Sequence, residues 1–201
     1  MRGRPARLMY WAAALGGAVP GLWLWWQYQA GALGVMPGEA LLHQTGRFGL
    51  LFLMGTLGVG FAHFLTGWMP LFAARRPLGV WTFLYALSHA LIWGWFDQAG
   101  MVEFILMEIS QMRHVQLGLG ALLLMAPLAL TSFNAAQRVM TLRWWKWLHL
   151  LTWPAAVLAL LHAWSVARFD AALVTAMGAA LAVMMLTRLF ARWRARRARA
   201  P

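Results

Sequence analysis

The stretch QTGRFGLLFLMGTLGVGFAHFLT, residues 44–66, contains a single Lys, Arg, Asp or Glu, namely Arg47. A helix needs about 20 mostly apolar residues to cross the roughly 30 Å hydrocarbon core of a bilayer. The stretch also lacks the alternation of apolar and polar residues that is typical of membrane-barrel strands. Because a chain in lipid must satisfy its own backbone hydrogen bonds, residues 44–66 predict a transmembrane α-helix.

Five more stretches share this length and apolarity, at about 8–30, 78–97, 115–133, 145–167 and 170–191. Apolar residues make up 62% of the chain and charged residues 11%, against about 45 to 50% and about 25% in soluble domains. Six spans use about 120 of the 201 residues, which leaves too few for a separate soluble domain of about 100 residues. We therefore expect one all-α integral membrane domain over residues 1–201, a six-transmembrane-helix bundle.

The charges predict how these helices are oriented. A net charge of +12 would suggest nucleic acid as the partner of a soluble protein, but in membrane proteins Lys and Arg concentrate in cytoplasmic loops. We therefore expect both termini in the cytoplasm and no nucleic-acid partner. Fourteen of the 17 basic residues lie on the predicted cytoplasmic side: Arg2, Arg4, Arg7, Arg75, Arg76, Arg138, Arg143, Lys146, Arg188, Arg192, Arg194, Arg196, Arg197 and Arg199. The predicted outer side holds Arg47, Arg113, Arg168 and all five acids, Glu39, Asp97, Glu103, Glu108 and Asp170.

Several general features limit the remaining interpretations. The first apolar run is longer than that of a secretory signal, so we interpret it as a retained helix. Residues 98–114 form the longest outer connection, and residues 101–112 predict a short interfacial helix. We expect no internal repeat and no linker.

Because the chain has no cysteine, disulfides, thiolate ligands and iron–sulfur clusters are excluded.

Histidines inside a membrane are costly and therefore indicate function. His89 lies 11 residues from the inner start of its stretch, about 16 Å at 1.5 Å per residue. His162 lies near the outer end of the fifth stretch, so the two rings could meet at similar depth. This arrangement predicts a bis-histidine site for haem.

His149 precedes His162 by 13 residues, about 20 Å along a helix. A second site there would complete an electron path across the membrane. An ideal helix would turn the two rings about 140° apart, but Pro154 lies between them and kinks the helix. The alternative for every intramembrane histidine is a hydrogen bond to a neighbouring helix.

The remaining candidates lie near helix ends. Arg47 could pair with a haem propionate or extend its side chain to the interface. His43 could be a ligand, a propionate donor or an interfacial residue. His63 and His114 lie where water reaches them, and we leave both outside the predicted site.

Five short motifs, in this order and spacing, resemble the MsrQ (YedZ) family, the haem-binding membrane subunits of bacterial methionine sulfoxide reductase systems. That family lies within the ferric-reductase-like transmembrane family, and the resemblance covers nearly the whole chain. The motifs are HQTGR at 43–47, RRPLGVW at 75–81 leading to His89, LTS at 130–132, RW at 143–144 leading to LH at 148–149, and LHAWS at 161–165.

The resemblance implies a b-type cytochrome of the bacterial inner membrane. Such a protein would carry electrons from a cytoplasmic flavin reductase or the quinol pool to a periplasmic molybdopterin enzyme resembling MsrP, which repairs oxidised methionine in proteins. The family's haem ligands correspond to His89, His149 and His162, with His43 and Arg47 as supporting residues. Two haems b are implied, although His149 has no obvious second axial ligand. The family is also associated with FMN, for which the sequence indicates no site.

Two other functions remain open from the sequence. The first is a ferric or quinone reductase that acts directly on a small substrate. The second is a cofactor-free transporter or assembly protein whose histidines only join helices. In the favoured interpretation the chain is an electron-transfer subunit, and the substrate chemistry takes place on its partner.

Overall fold

A computed structural model describes residues 3–166 and 171–197 of the chain. All regular secondary structure in these ranges is helical. Four of the charged residues that predict the orientation lie outside the described residues, namely Arg2, Arg168, Asp170 and Arg199. The helices are α1 (Arg4–Gly16), α2 (Val19–Gln29), α3 (Pro37–Thr66), α4 (Met69–Phe72), α5 (Arg75–Ile92), α6 (Val102–Gln111), α7 (Arg113–Leu130), α8 (Asn134–Val139), α9 (Leu142–Leu148), α10 (Thr152–Val166) and α11 (Ala171–Arg197).

The expectation of an all-α, multi-pass membrane protein is confirmed. Within the described residues, five helical segments are long and apolar enough to cross a bilayer, at 4–29, 37–66, 113–130, 142–166 and 171–191. The sixth predicted span corresponds to α5, which continues as a π-helical turn over Trp93–Asp97. Because α5 begins with Arg75 and Arg76 and contains His89, it is less apolar than the others. The sixth span and the cytoplasmic termini stay predictions.

The connections are more ordered than the sequence indicated. The expected helix in residues 101–112 is present as α6, and two short helices that were not predicted, α4 and α8, occupy other connections. The bundle is built from two antiparallel helix pairs, since α3 packs most extensively against α5 and α10 against α7.

The first predicted helix is broken between α1 and α2. Pro20 has no N–H for the carbonyl of Gly16, and α1 ends at that glycine. Two aromatic side chains of α5 satisfy carbonyls beside the break: Trp81 Nε1 donates to Ala14 O at 2.9 Å, and Tyr85 Oη donates to Gly17 O at 2.9 Å. The break therefore docks the N-terminal helices against α5.

The fifth predicted helix is also interrupted, by a 3₁₀ turn at His149–Leu151 between α9 and α10. Pro154 explains its position, because a proline clashes with the carbonyl four residues earlier, here that of Leu150. The predicted kink therefore falls at His149 itself.

The core joins both helix pairs to α11. Small residues such as Ala121, Ala155 and Ala156 lie where α7 and α10 approach, which is typical of membrane helix interfaces. Larger apolar side chains complete the cluster: Leu53, Leu57, Met125, Leu160, Val174, Met177, Leu181 and Met184.

Candidate functional site: two facing histidines

The two helix pairs bring His89 and His162 together. His89 lies on α5 and His162 on α10, and their ring centroids are 6.0 Å apart with the ring planes at 77°. Both residues are half-buried. The structure therefore brings together the two rings whose depth had suggested a shared site.

Each ring is held by a backbone carbonyl of the neighbouring helix. The Nδ1 atom of His89 lies 2.9 Å from Leu42 O on α3, and that of His162 lies 2.7 Å from His114 O on α7. Because a carbonyl oxygen only accepts hydrogen bonds, each Nδ1 must carry the hydrogen. In the neutral ring this leaves Nε2 with a free lone pair, which is the state that binds a metal.

Glycines make room for these contacts. A Cβ atom added to Gly46 would lie 2.9 Å from Nδ1 of His89, and one added to Gly118 would lie 2.9 Å from Nδ1 of His162. Each glycine comes one helical turn after the accepting residue, Leu42 or His114. The two rings therefore fill notches that a side chain at position 46 or 118 would close.

The donor set fits an iron held between two imidazoles. With metal–nitrogen bonds of about 2 Å, two ligating imidazoles have centroids about 6 Å apart, close to the separation of His89 and His162. Over the residues that the structure describes, no group of three or more His, Cys, Asp or Glu side chains is arranged to hold a metal ion. His89 and His162 would hold the iron of a macrocyclic cofactor, which would supply its remaining ligands itself.

The same local arrangement occurs twice, which corrects the expectation of no internal repeat. In both helix pairs the histidine ring contacts a glycine and donates to the carbonyl four residues before it. Short sequences accompany the geometry: QTG at 44–46 matches QLG at 116–118, and ALSHA at 86–90 matches ALLHA at 159–163. The matches are too short to stand out before the contacts are known.

The neighbours of the pair differ from the sequence prediction. His114, which we had left outside the site, has its ring centroid 6.4 Å from that of His162 and also supplies the accepting carbonyl. His43 is 71% exposed, and its Nε2 lies 3.6 Å from Glu39 Oε1. Arg47 is exposed one turn further along α3. Supporting roles for His43 and Arg47 stay predictions.

His149 lies apart from this pair, at the other end of the contact between α7 and α10. Its ring contacts that of Trp145 with centroids 4.0 Å apart and the planes tilted by 32°, and its Nε2 is 3.5 Å from Thr131 Oγ1. Trp145 in turn donates to the carbonyl of Thr131 at 3.2 Å. His149 and His162 therefore both contact α7, although an ideal helix would have pointed them apart.

His63 occupies a different environment again, at the end of α3. Its Nδ1 lies 3.3 Å from Trp68 O, and its ring centroid is 5.0 Å from that of Phe72. These contacts fit the helix-end role that the sequence indicated for it.

The molecule is thus a multi-pass helical protein with two imidazoles facing each other between its helix pairs. The family model described as "Ferric reductase like transmembrane component" matches residues 44–160.

Relatives with the printed name "Protein-methionine-sulfoxide reductase heme-binding subunit MsrQ" match over most of the chain. The protein of Ralstonia nicotianae is 35% identical over 96% of this chain and 89% of its own length. The protein of Rhodospirillum rubrum is 33% identical over 100% and 95%, respectively. The chain therefore belongs to the ferric reductase-like transmembrane family and, within it, to the MsrQ family.

Proposed function

We propose that the protein is a b-type cytochrome in which His89 and His162 would hold the iron of a haem. The observation that carries this proposal is the facing pair of rings, 6.0 Å apart, each with Nδ1 bonded to a carbonyl. The printed names of the relatives, which describe heme-binding subunits, support it.

The protein's own contribution is to orient the two imidazoles. A hydrogen bond from the second ring nitrogen fixes the tautomer and raises the basicity of the ligating nitrogen, and here Leu42 O and His114 O accept those bonds. Bound haem supplies one-electron redox chemistry, with a potential set by its ligands, their hydrogen bonds and burial. The half-buried rings and the packed helix pairs limit access of water to this position.

We propose His149 as a ligand of a second, inner haem. It lies 13 residues before His162, which corresponds to about 20 Å along a helix axis. Through Thr131 it contacts the end of α7, the helix that His162 also contacts. Two centres at these depths would connect the two membrane faces. The hydrogen bond between His149 and Thr131 must open for Nε2 to become a ligand.

The direction of transfer in this proposal runs from the cytoplasm to the periplasm across a bacterial inner membrane. The donor is a cytoplasmic flavin reductase or membrane quinol, and the acceptor is a periplasmic molybdopterin enzyme that reduces methionine sulfoxide in proteins. The printed names of the relatives, which describe them as subunits, support dependence on partners.

The test is the visible spectrum of the purified protein and of two variants. We expect Soret and α bands of low-spin haem, and a lower haem-to-protein ratio in both His89→Ala and His162→Ala. A His63→Ala variant is the matched control, because His63 contacts Trp68 and Phe72 instead. A colourless wild-type protein, or full haem content in both histidine variants, would contradict the assignment.

A second measurement separates the proposed function from direct reduction of a small substrate. Reduced protein is mixed either with the periplasmic molybdoenzyme or with ferric chelates and quinones. Faster reoxidation by the molybdoenzyme is expected. Reoxidation by the chelates or quinones alone would favour a ferric or quinone reductase.

A further inference from the structure

We propose that Gly46 and Gly118 are equivalent positioning residues, related by a local two-fold axis between the two histidine rings. The proposal rests on the proposed function, because it assigns these glycines to the orientation of the haem ligands. The outer site, which lies between His89 and His162, then consists of two similar half-sites. One is formed by α3 and α5, and the other by α7 and α10.

The first step is the steric role of each glycine. In an α-helix the N–H of residue i+4 bonds to the carbonyl of residue i, so the side chain of residue i+4 stands beside that carbonyl. At Gly46 and Gly118 there is none, and the second lone pair of the Leu42 or His114 carbonyl is open to a neighbouring ring. Small residues allow this kind of approach between membrane helices.

The second step is the closeness of the fit. An added Cβ would lie 2.9 and 3.0 Å from Nδ1 and Cε1 of His89 at position 46, and 2.9 and 3.1 Å from the same atoms of His162 at position 118. These separations are shorter than a van der Waals contact. The ring must therefore move away from the carbonyl, which weakens the hydrogen bond of Nδ1 and turns Nε2 from its direction.

The third step is the symmetry of the two half-sites. The residue whose carbonyl accepts the hydrogen bond comes 47 residues before His89 and 48 residues before His162, and the chain runs in the same direction through both pairs. The two-fold axis therefore runs along the bundle. An iron held equally by both rings would lie on that axis, so we expect the two glycines to act on it equally.

The equivalence is confined to the outer site. Thirteen residues before His162 the chain has His149, whereas 13 residues before His89 it has Arg76. The inner position therefore has no second imidazole from the repeat. A change at Gly46 or Gly118 should leave the environment of His149 as it was.

The experiment compares Gly46→Ala and Gly118→Ala in the full-length protein with its haem. We expect both variants to show the same displacement of the α band and of the low-spin EPR signals, and the same shift of one midpoint potential. We also expect both reduced variants to bind CO, which a haem with two tight axial ligands excludes. Gly58→Ala on α3 and Gly178→Ala on α11 are matched controls, since an added Cβ there meets no atom within 4 Å.

The outcomes separate this inference from the proposed function. If the unsubstituted protein has no haem, the proposed function fails. If it has haem but the two variants keep its spectrum and potential, or differ from each other as much as from the controls, only the positioning role is overturned. Both variants should also accumulate as apoprotein at wild-type levels in haem-deficient cells; loss of both there would show a role in folding and would likewise overturn the inference.

Discussion

The half-buried ring of His149 is already in contact with neighbouring side chains in the absence of a ligand. Its ring lies against that of Trp145, and its Nε2 lies near the hydroxyl of Thr131, which itself donates to Pro127 O at 2.6 Å. The hydroxyl can therefore accept from His149. At 3.5 Å the bond between Nε2 and Oγ1 is long and costs little to open.

Removal of His149 tests the inner haem directly. In His149→Ala we expect the haem-to-protein ratio, measured as the pyridine haemochrome, to fall from about two to about one. The spectrum of the remaining haem should keep its low-spin bis-imidazole form, because His89 and His162 are untouched. His63→Ala serves as the control and should keep both haems. An unchanged ratio in His149→Ala would show that this histidine only joins helices.

The two histidines that face each other could be predicted from the sequence, whereas the groups that hold their rings could not. His89 and His162 were selected because an ionisable group deep in a membrane is costly. Their hydrogen-bond acceptors are backbone carbonyls of Leu42 and His114, and every residue has a carbonyl. The importance of a carbonyl depends on which helix packs against it, and that is decided by contacts between residues 47 or 48 positions apart.

Two helix breaks determine how neighbouring helices and side chains are placed in this fold. The break after Gly16 opens carbonyls that Trp81 and Tyr85 of α5 bind, and the 3₁₀ turn at His149–Leu151 sets the direction of the His149 ring. In both cases a proline, Pro20 or Pro154, lies three to five residues after the point of change. Prolines in membrane helices are tolerated because neighbouring groups satisfy the freed carbonyls.

Gly17→Ala tests the docking of α1 on α5. An added Cβ would lie 2.0 Å from Cδ1 of Trp81, so the indole must move and its hydrogen bond to Ala14 O is lost. Overpacking of this kind costs about 1 to 3 kcal/mol, which should lower the Tm in detergent by several degrees.

Gly16→Ala is the matched control for that change, since an added Cβ at Gly16 meets no atom within 4 Å. The neighbouring substitution should leave the Tm unchanged or raise it slightly, because alanine favours helix. Equal effects of the two substitutions would contradict the close fit against Trp81.

The sequence predicted a kink near Pro154 but not its consequence. A simple count of 100° per residue placed His149 and His162 on different faces, and the structure shows both against α7. The difference arises because three residues in 3₁₀ geometry change the rotation per residue. Whether a proline produces such a turn depends on which neighbours satisfy the freed carbonyl, and a single sequence does not display those neighbours.

At the scale of the whole molecule, the charges are segregated along the bundle. Acidic residues such as Glu39, Asp97 and Glu108 lie at the end where His89 and His162 meet, and Asp97 and Glu108 are close enough to interact electrostatically. Most basic residues lie at the other end of the spans. This segregation is typical of inner-membrane proteins with basic cytoplasmic loops.

Reporter fusions test the predicted orientation. A fluorescent protein fused after residue 201 should fluoresce, because we place the C-terminus in the cytoplasm, and alkaline phosphatase inserted after Gly100 should be active, because we place that connection in the periplasm. The reverse pattern at both positions would overturn the orientation. A fluorescent fusion with an inactive insertion would instead show that α5 fails to span.

The composition of the chain determines the helices that can span a membrane, but not how these helices pair. Apolar length predicted the five candidate spans, with all but one of their ends within four residues, the exception being the start of α3 at Pro37, because the thickness of the bilayer determines the length of a span. It did not give the pairing of α3 with α5 and of α7 with α10, which depends on small residues and notches rather than on hydropathy. The weaker apolarity of α5 comes from Arg75 and Arg76 at its start and from His89 in the candidate site.

The division of the outer site between two helix pairs also sets an order of events during synthesis. His162 follows His89 by 73 positions, so the first half-site is complete in the membrane while the ribosome is still producing the second. A haem that needs both rings can be captured only after the second pair has been inserted and has closed against the first. Haem binding would then distinguish completely assembled bundles from those that lack the second helix pair.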